Sequence, residues 1–288
     1  MLRVETAVIP VAGLGTRFLP VSKGVAKELL PVIDKPVIQY IVEELVASGI
    51  RRIIFVVSDN KREVLEYFQK DEALEVYLTA KGKMNELASI QHLHDMAEFF
   101  AVEQHQPLGF GHAVLQARDV VGNTPFIVCG GDDIIDGDVP AARELVEVYE
   151  RNGGASVIGV VRVPAHTVNR YGIVAPLHDG SDRTFQIKDV IEKPSVESAP
   201  SNCAAGGRWL VTPEIFESLA RIEPGAGGEI QLTDALKDLL QTQPMYAHQY
   251  SGVYRDCGNK VEYIKAIIAF GRRHPVLGAE IEQFIHSA

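Results

Sequence analysis

Short apolar runs rich in β-branched residues alternate, in the first half of the chain, with segments whose apolar positions recur at helical spacing. Thr6 to Val11 reads as a first strand. Ile53 to Val57 (IIFVV) is apolar without alternation, the mark of a strand covered on both faces. Phe126 to Cys129 and Ala155 to Arg162 are two more. A helix is expected from Pro36 to Ser48, where a proline opens the pattern and Gly49 stands just past its end. Others follow at Lys61 to Phe68, Gly111 to Arg118 and Val139 to Glu150. Strand and helix in alternation imply a mostly parallel sheet covered by helices on both faces. The second half reads differently. Tyr171 to Glu192 carries short strands around a DGSD turn at Asp179 to Asp182, and helices return at Pro213 to Leu219, Asp234 to Leu240 and Val261 to Gly271. No Pro/Gly/Ser-rich linker and no repeat divides the chain. The expected fold is α/β, one domain over residues 1–288. It has a Rossmann-like, mostly parallel mixed sheet with helices on both faces, a β-rich insertion and C-terminal helices. Residues 72–100 are polar and read as helical, without a place in that plan.

Composition narrows the partners. The chain has 28 Lys and Arg against 38 Asp and Glu, a formal charge of −10, and no basic block. That argues against nucleic acid as a partner, but not against a phosphorylated small molecule, which needs only a local basic cluster. No apolar stretch approaches the roughly 20 residues of a membrane helix, and the N-terminal apolar run is too short for a signal peptide core. The three cysteines (Cys129, Cys203, Cys257) are widely spaced and offer no zinc pattern. A cytoplasmic protein without a membrane partner is the expectation.

An open sheet binds ligands at the carboxyl ends of its strands, so the loop after the first strand, VAGLGTRFLP from Val11, is the place to look. Gly13 and Gly15 let backbone N–H groups approach phosphate oxygens closely. The dinucleotide fingerprint fails, because its third glycine position is Phe18. Thr16 and Arg17 follow instead, then Lys23 and Lys27. Arg17 can grip a phosphate bidentately, whereas Lys27 acts more as a point charge. Three cations beside a bare loop suit a triphosphate.

That string and KELLPVIDKPVIQY from Lys27 resemble the sugar nucleotidyltransferases, and in particular the bacterial UTP–glucose-1-phosphate uridylyltransferases (UDP-glucose pyrophosphorylases). PLGFGHAVLQA from Pro107, GGDD from Gly130, RYGIV from Arg170, VIEKP from Val190, PGAGGEIQLTDAL from Pro224 and DCGNK from Asp256 agree in order. Glu28 and GAGGEIQLTDA point to the uridylyl branch. The resemblance implies a nucleotide-binding part over 1–135, a sugar-phosphate part over 136–260 and a helical tail over 261–288. It also implies attack of glucose 1-phosphate on the α-phosphorus of UTP, giving UDP-glucose and pyrophosphate with Mg²⁺ and no covalent enzyme intermediate. Positioning and charge neutralisation then carry catalysis. No Ser-His-Asp or Cys-His pattern competes, and the nine histidines read as surface or structural.

The roles the resemblance implies are specific. Arg17 and Lys27 hold the pyrophosphate portion and the α-phosphate, and Lys193 holds both substrates' phosphates. Ala12, Gly13, Gly15 and Thr16 lie against the nucleotide, which Glu28 helps orient. Gln104 and the backbone of Gly109 read uracil. Glu192 accepts glucose hydroxyls, and Gly172 contacts the sugar. Asp132 and Asp256 hold the metal, with Asp133 able to replace Asp132. Some relatives have lysine where this chain has Leu108, which weakens any phosphate role there. Asp136 and Asp138 read as a solvated loop, and Asp234 as a capping residue with Glu229 nearby. The resemblance also implies a homodimer or homotetramer, for which the apolar face of Val261 to Arg272 could serve. A thymidylyltransferase for the same sugar phosphate, or a catalytically silent nucleotide-sugar sensor, are the competing readings.

Overall fold

In a computed structural model that describes residues 2–58, 61–225 and 228–287, the apolar runs become neighbours in one nine-stranded sheet. In chain order the strands are β1 (Thr6–Pro10), β2 (Pro31–Val32), β3 (Lys35–Pro36), β4 (Arg52–Val57), β5 (Glu98–Glu103), β6 (Phe126–Cys129), β7 (Asp133–Asp136), β8 (Ser156–Arg162), β9 (Gly172–Pro176), β10 (Thr184–Glu192), β11 (Cys203–Val211), β12 (Met245–Gln249) and β13 (Val253–Asp256). The main sheet runs β5-β4-β1-β6-β11-β8-β12-β10-β9; β13 pairs with β7, and β2 with β3, in small ribbons of their own. The parallel expectation describes the half from β5 to β6. Beyond it, β11 lies antiparallel to both β6 and β8, and β10 antiparallel to β12 and β9, so the sheet is mixed.

The helices are α1 (Val37–Ala47), α2 (Glu63–Tyr67), α3 (Glu72–Ala80), α4 (Met84–Gln91), α5 (Phe110–Gln116), α6 (Arg118–Val121), α7 (Ala141–Arg151), α8 (Ile215–Arg221), α9 (Leu232–Leu239), α10 (Lys260–Arg273) and α11 (Gly278–Ser287). One core packs α1 and α7 on one face of the sheet through Ile41, Leu45, Leu145 and Val148; the other packs α5, α8 and α9 on the opposite face through Val114, Leu219 and Leu236. The unplaced segment 72–100 forms the α3–α4 hairpin and runs into the edge strand β5. No helix among the described residues is long and apolar enough to cross a membrane.

Two buried polar groups fasten helices to the sheet. Glu44 of α1 accepts from Arg208 of β11. Glu144 of α7 lies against His248 Nε2 at 2.8 Å and accepts from Arg183 Nη2 at 2.7 Å and from the backbone and hydroxyl of Ser251. Burial alone would raise the Glu144 carboxyl, but the bonds from His248 and Ser251 outweigh it and hold it below its ordinary value. A depressed folded-state pKa stabilises above the unfolded value and is lost as pH falls through the folded one. Glu144→Gln should therefore unfold about 2 kcal/mol more easily at pH 7, with the difference closing below about pH 4. Urea titrations at the two pH values check this; a gap that persists in acid would assign the loss to packing.

Candidate active site

The loop leaving β1 turns at Gly15, whose φ of 63° is left-handed. A side chain there would press on Ser22 and Lys27 at 3.2 and 3.4 Å. Ala12 and Thr16 line a cleft of about 780 Å³ whose far wall includes Gln104 and Pro107. Gly13 is exposed at its mouth, and so is Lys23. Arg17 reaches across to the carbonyl of Gly258 at 3.3 Å.

Gln104 is buried at the end of β5, and its Nε2 donates to Gly109 O at 3.1 Å and lies 2.9 Å from His112 Nδ1. Both amide protons thus face the protein, which leaves Oε1 as the acceptor for a ligand. Gly109 has a φ of 106°, and a Cβ there would fall 2.8 Å from Ile230 O. Gly111 likewise meets the 230–232 backbone. This is why GFGHA and GGEIQL occur together: Ile230 N–H donates to Leu108 O at 2.7 Å, and Gly111 N–H to Ile230 O at 2.9 Å. Gly227 of that second string, and Ala226 just before it, lie outside the described residues.

The acidic centre is built by the β7–β13 ribbon. Its register sets Asp256 opposite Asp133, and Cys257 N–H donates to the Asp132 carbonyl at 2.9 Å. A Cβ on Gly258 would lie 2.2 Å from Asp132 Oδ2 and 3.1 Å from Asp256 Oδ1, so the two carboxylates converge where only glycine fits. Asn259 then caps α10, accepting from Val261 N–H at 2.9 Å and fixing the turn. Asp132 Oδ2 also accepts from Lys27 Nζ at 2.6 Å. Burial would raise the Asp132 carboxyl, but Lys27, with help from Arg17, holds it below its ordinary value; burial and Asp132 raise that of Asp256. Asp133 turns the other way. Its Oδ1 accepts from Tyr254 OH at 2.6 Å and its Oδ2 packs on Gly130 and Gly207, where burial and Asp132 raise its pKa. Between the two neighbours, Asp132 is the one that faces Asp256. Two converging carboxylates beside a glycine loop and basic side chains fit a hard cation such as Mg²⁺, which takes one or two protein carboxylates and fills its shell with water or phosphate oxygens.

Glu28 lies beneath this centre, 1% exposed, with Oε1 3.7 Å from Lys27 Nζ and, among the described residues, no hydrogen-bond partner for Oε2. Burial pushes its carboxyl up to about 7.

Gly172 and Glu192, expected on the sugar side, meet on β9 and β10, which pair them directly. A Cβ on Gly172 would stand 3.0 Å from Thr233 Oγ1 and 3.3 Å from Glu192 Oε2. Thr233 Oγ1 donates to Glu192 Oε2 at 2.7 Å, and Lys193 Nζ pairs with Glu192 Oε1 at 2.9 Å. Lys193 adopts a φ of 42°, a strained backbone for a non-glycine residue, held by its N–H to Tyr171 O at 3.0 Å. Such strain costs about 1–3 kcal/mol and persists where the surroundings impose it, characteristically at functional sites. Arg170, in the turn just before β9, has its Nη2 3.5 Å from Asp256 Oδ2 and so joins this region to the acidic centre.

Sequence reasoning missed Arg170, Thr233, His112 and Lys61, although the first three stand inside the strings that carried the resemblance. Two expectations are corrected. Asp136 is no solvated loop: it accepts from Arg255 Nη2 at 2.7 Å and Arg273 Nη2 at 2.8 Å, tying α10 to β7. Asp138 is exposed. Asp234 is not the cap of α9, which starts at Leu232 after Gln231; it lies in the first turn, where a negative charge still suits the helix dipole.

Residues 6–271 match the family described as nucleotidyl transferase. A UTP–glucose-1-phosphate uridylyltransferase of Staphylococcus haemolyticus is 44% identical over 285 residues, covering 99% of this chain and 98% of that protein. A UTP-bound UGPase from Acinetobacter baumannii superposes with a TM-score of 0.89 at 38% identity, covering 98% of this chain and 99% of that one. A UDP-glucose pyrophosphorylase complexed with UDP-glucose superposes with a TM-score of 0.86 at 36% identity, covering 94% of this chain and 100% of that one. Loop, acidic centre and full-length likeness agree: this chain belongs to the nucleotidyl transferases, in their UTP–glucose-1-phosphate uridylyltransferase family.

Proposed function

We propose that this chain transfers the uridylyl group of UTP to α-D-glucose 1-phosphate, giving UDP-glucose and pyrophosphate, by direct in-line displacement. The observation that carries the reading is the convergence of Asp132 and Asp256, with Lys27 and Arg17 beside them, at the mouth of the glycine loop. Asp132 and Asp256 would hold Mg²⁺, which, when bound, neutralises phosphate charge and polarises the α-phosphoryl group. Arg17 and Lys27 neutralise the departing pyrophosphate. Gln104 Oε1 accepts from the uracil N3–H, while Gly109 completes base reading through its backbone. Glu192, fixed by Thr233, accepts sugar hydroxyls against the bare face of Gly172. Lys193 stands between the two phosphates and offsets the charge that grows between them. Residues 1–135 serve mainly the nucleotide, 136–260 mainly the sugar phosphate, and 261–288 form the tail. Work on a nucleoside triphosphate supports a cytoplasmic protein. Exposed Val261, Ile264 and Ile268 on α10 support a homodimer or homotetramer, which light scattering would check.

The test is pyrophosphate release from UTP and glucose 1-phosphate with Mg²⁺. Turnover that favours dTTP would move the chain to the thymidylyl reading, and silence toward both to the sensor. Because Lys193 is placed to act on charge that develops during displacement, Lys193→Ala should lower kcat by about a hundredfold and raise the KM for UTP only a few-fold. A raised KM with kcat unchanged would make it an anchor for substrate alone.

A further inference from the structure

None of the backbone N–H groups from Gly13 to Arg17 donates to a protein acceptor among the described residues, whereas three carbonyls of the same loop are held: Gly15 O and Thr16 O accept from Phe18 N–H at 2.9 Å and Leu19 N–H at 3.2 Å in a tight turn, and Gly13 O and Gly15 O each accept from a side chain. Lys61 Nζ donates to Gly13 O, and Ser22 Oγ donates to Gly15 O at 2.8 Å. Both side chains are buried, at 8% exposure each, and both line the cleft of the triphosphate loop. Among the described residues the Lys61 ammonium pairs with no carboxylate; its hydrogen bond goes to this carbonyl. At Gly13 itself packing does not do this, because a Cβ there would find nothing within 4 Å.

A trans peptide is planar, and its C=O and N–H point in opposite directions. Anchoring Gly13 O therefore fixes Leu14 N–H on the other side of its peptide plane, and anchoring Gly15 O does the same for Thr16 N–H. Glycine rotates between such orientations at little cost, and a carbonyl turned toward the ligand would repel a phosphate. We propose that Lys61 and Ser22 are positioning residues for the nucleotide. They lock alternate peptides of the loop so that Leu14 and Thr16 present their N–H groups to the triphosphate. This rests on the uridylyl-transfer reading for the identity of the ligand and not for the loop geometry.

Ser22→Ala is the cleaner variant, since it removes one hydrogen bond and no charge. Two measurements apply: calorimetric binding of inorganic tripolyphosphate, and the KM for each substrate. Ser22→Ala should weaken tripolyphosphate binding and raise the KM for UTP about fivefold, the size of one net hydrogen bond. Lys61→Met should do so more than tenfold, with Lys61→Arg recovering part of the loss. The KM for glucose 1-phosphate and the melting temperature should stay near those of the parent. Tripolyphosphate binding by Ser22→Ala within twofold of the parent would overturn the proposal. So would parallel losses for both substrates with a lowered melting temperature, which mark a merely structural role. A parent that binds tripolyphosphate but does not turn over UTP would instead overturn the reaction reading, with the calorimetry still deciding the loop.

Discussion

Asp132→Asn should lower kcat by about 10²–10³-fold, the scale of removing one preorganised electrostatic contact at a reacting phosphate, and should raise the Mg²⁺ concentration needed for half-maximal rate. The amide keeps the shape of the carboxylate but loses the charge shared between Lys27 and the point where Asp256 converges. Lys27 is then left partly buried with only the more distant Glu28 carboxylate, 3.7 Å away, so some of the loss is in phosphate positioning. The metal dependence separates the two effects, because an uncompensated lysine does not by itself change the demand for a divalent cation. Asp133→Asn supplies the control. Its side chain faces Tyr254, Gly130 just past β6 and Gly207 of β11, and asparagine can still accept the Tyr254 hydroxyl. It should stay within about tenfold of the parent rate, with an unchanged Mg²⁺ requirement; tenfold equals about 1.4 kcal/mol, the scale of one perturbed hydrogen bond. The reverse ranking of the two variants would exchange their roles, and an unchanged metal requirement in Asp132→Asn would place the cation elsewhere.

How much of this was legible depended on the range over which each constraint acts. The loop after β1 could be read because its signals are local: an apolar strand, two glycines and an arginine within a few residues. The helices with clear periodicity, α1 and α7, fell where their patterns put them. Strand β11 did not announce itself, because CAAGGRWLV breaks alternation with two glycines and an arginine. The structure gives the reason. The ladder to β8 slips between Ala205 and Trp209. A Cβ on Gly206 would meet the Tyr250 ring at 2.9 Å, and one on Gly207 would meet the Asp133 carboxylate at 2.5 Å. Small residues there make room for side chains from other strands, a reason that single-sequence periodicity does not contain. The pairing of Asp256 with the Asp132 region belongs to the same class. It is set by the register of β13 on β7, and only the family resemblance suggested it beforehand. Asp136 was misread for a related reason: an acid in a run of acids looks solvated until two arginines arrive from β13 and α10. Lys61 follows a buried strand and opens a helical pattern, so nothing local distinguished it from a surface lysine.

Arg208→Ala should destabilise the fold by about 3–5 kcal/mol, the cost of leaving one member of a buried ion pair without the other. Arg208 is 0% exposed in the middle of the sheet. Its Nη2 donates to Glu44 Oε2 at 2.6 Å and its Nη1 to the carbonyl of Gly207 at 2.9 Å, while Glu44 Oε1 also accepts from Ala142 N–H at 2.9 Å. One carboxylate therefore serves β11, α1 and the first turn of α7, and truncating the arginine strands that charge among apolar side chains. Removing both charges should cost less than removing one. Arg208→Met combined with Glu44→Gln, which keeps an acceptor for Ala142, should recover much of the loss in denaturant titrations. A double variant as unstable as the sum of the single ones would mean that the pair does not act as a unit. The connection to chemistry runs through Gly207, whose carbonyl accepts from Gly130 N–H at 2.9 Å, two residues before Asp132. If Arg208 steadies that junction as well as the core, the folded fraction of Arg208→Ala should show a raised Mg²⁺ requirement beyond its lower stability. An unaltered requirement would confine its role to holding the helices on the sheet.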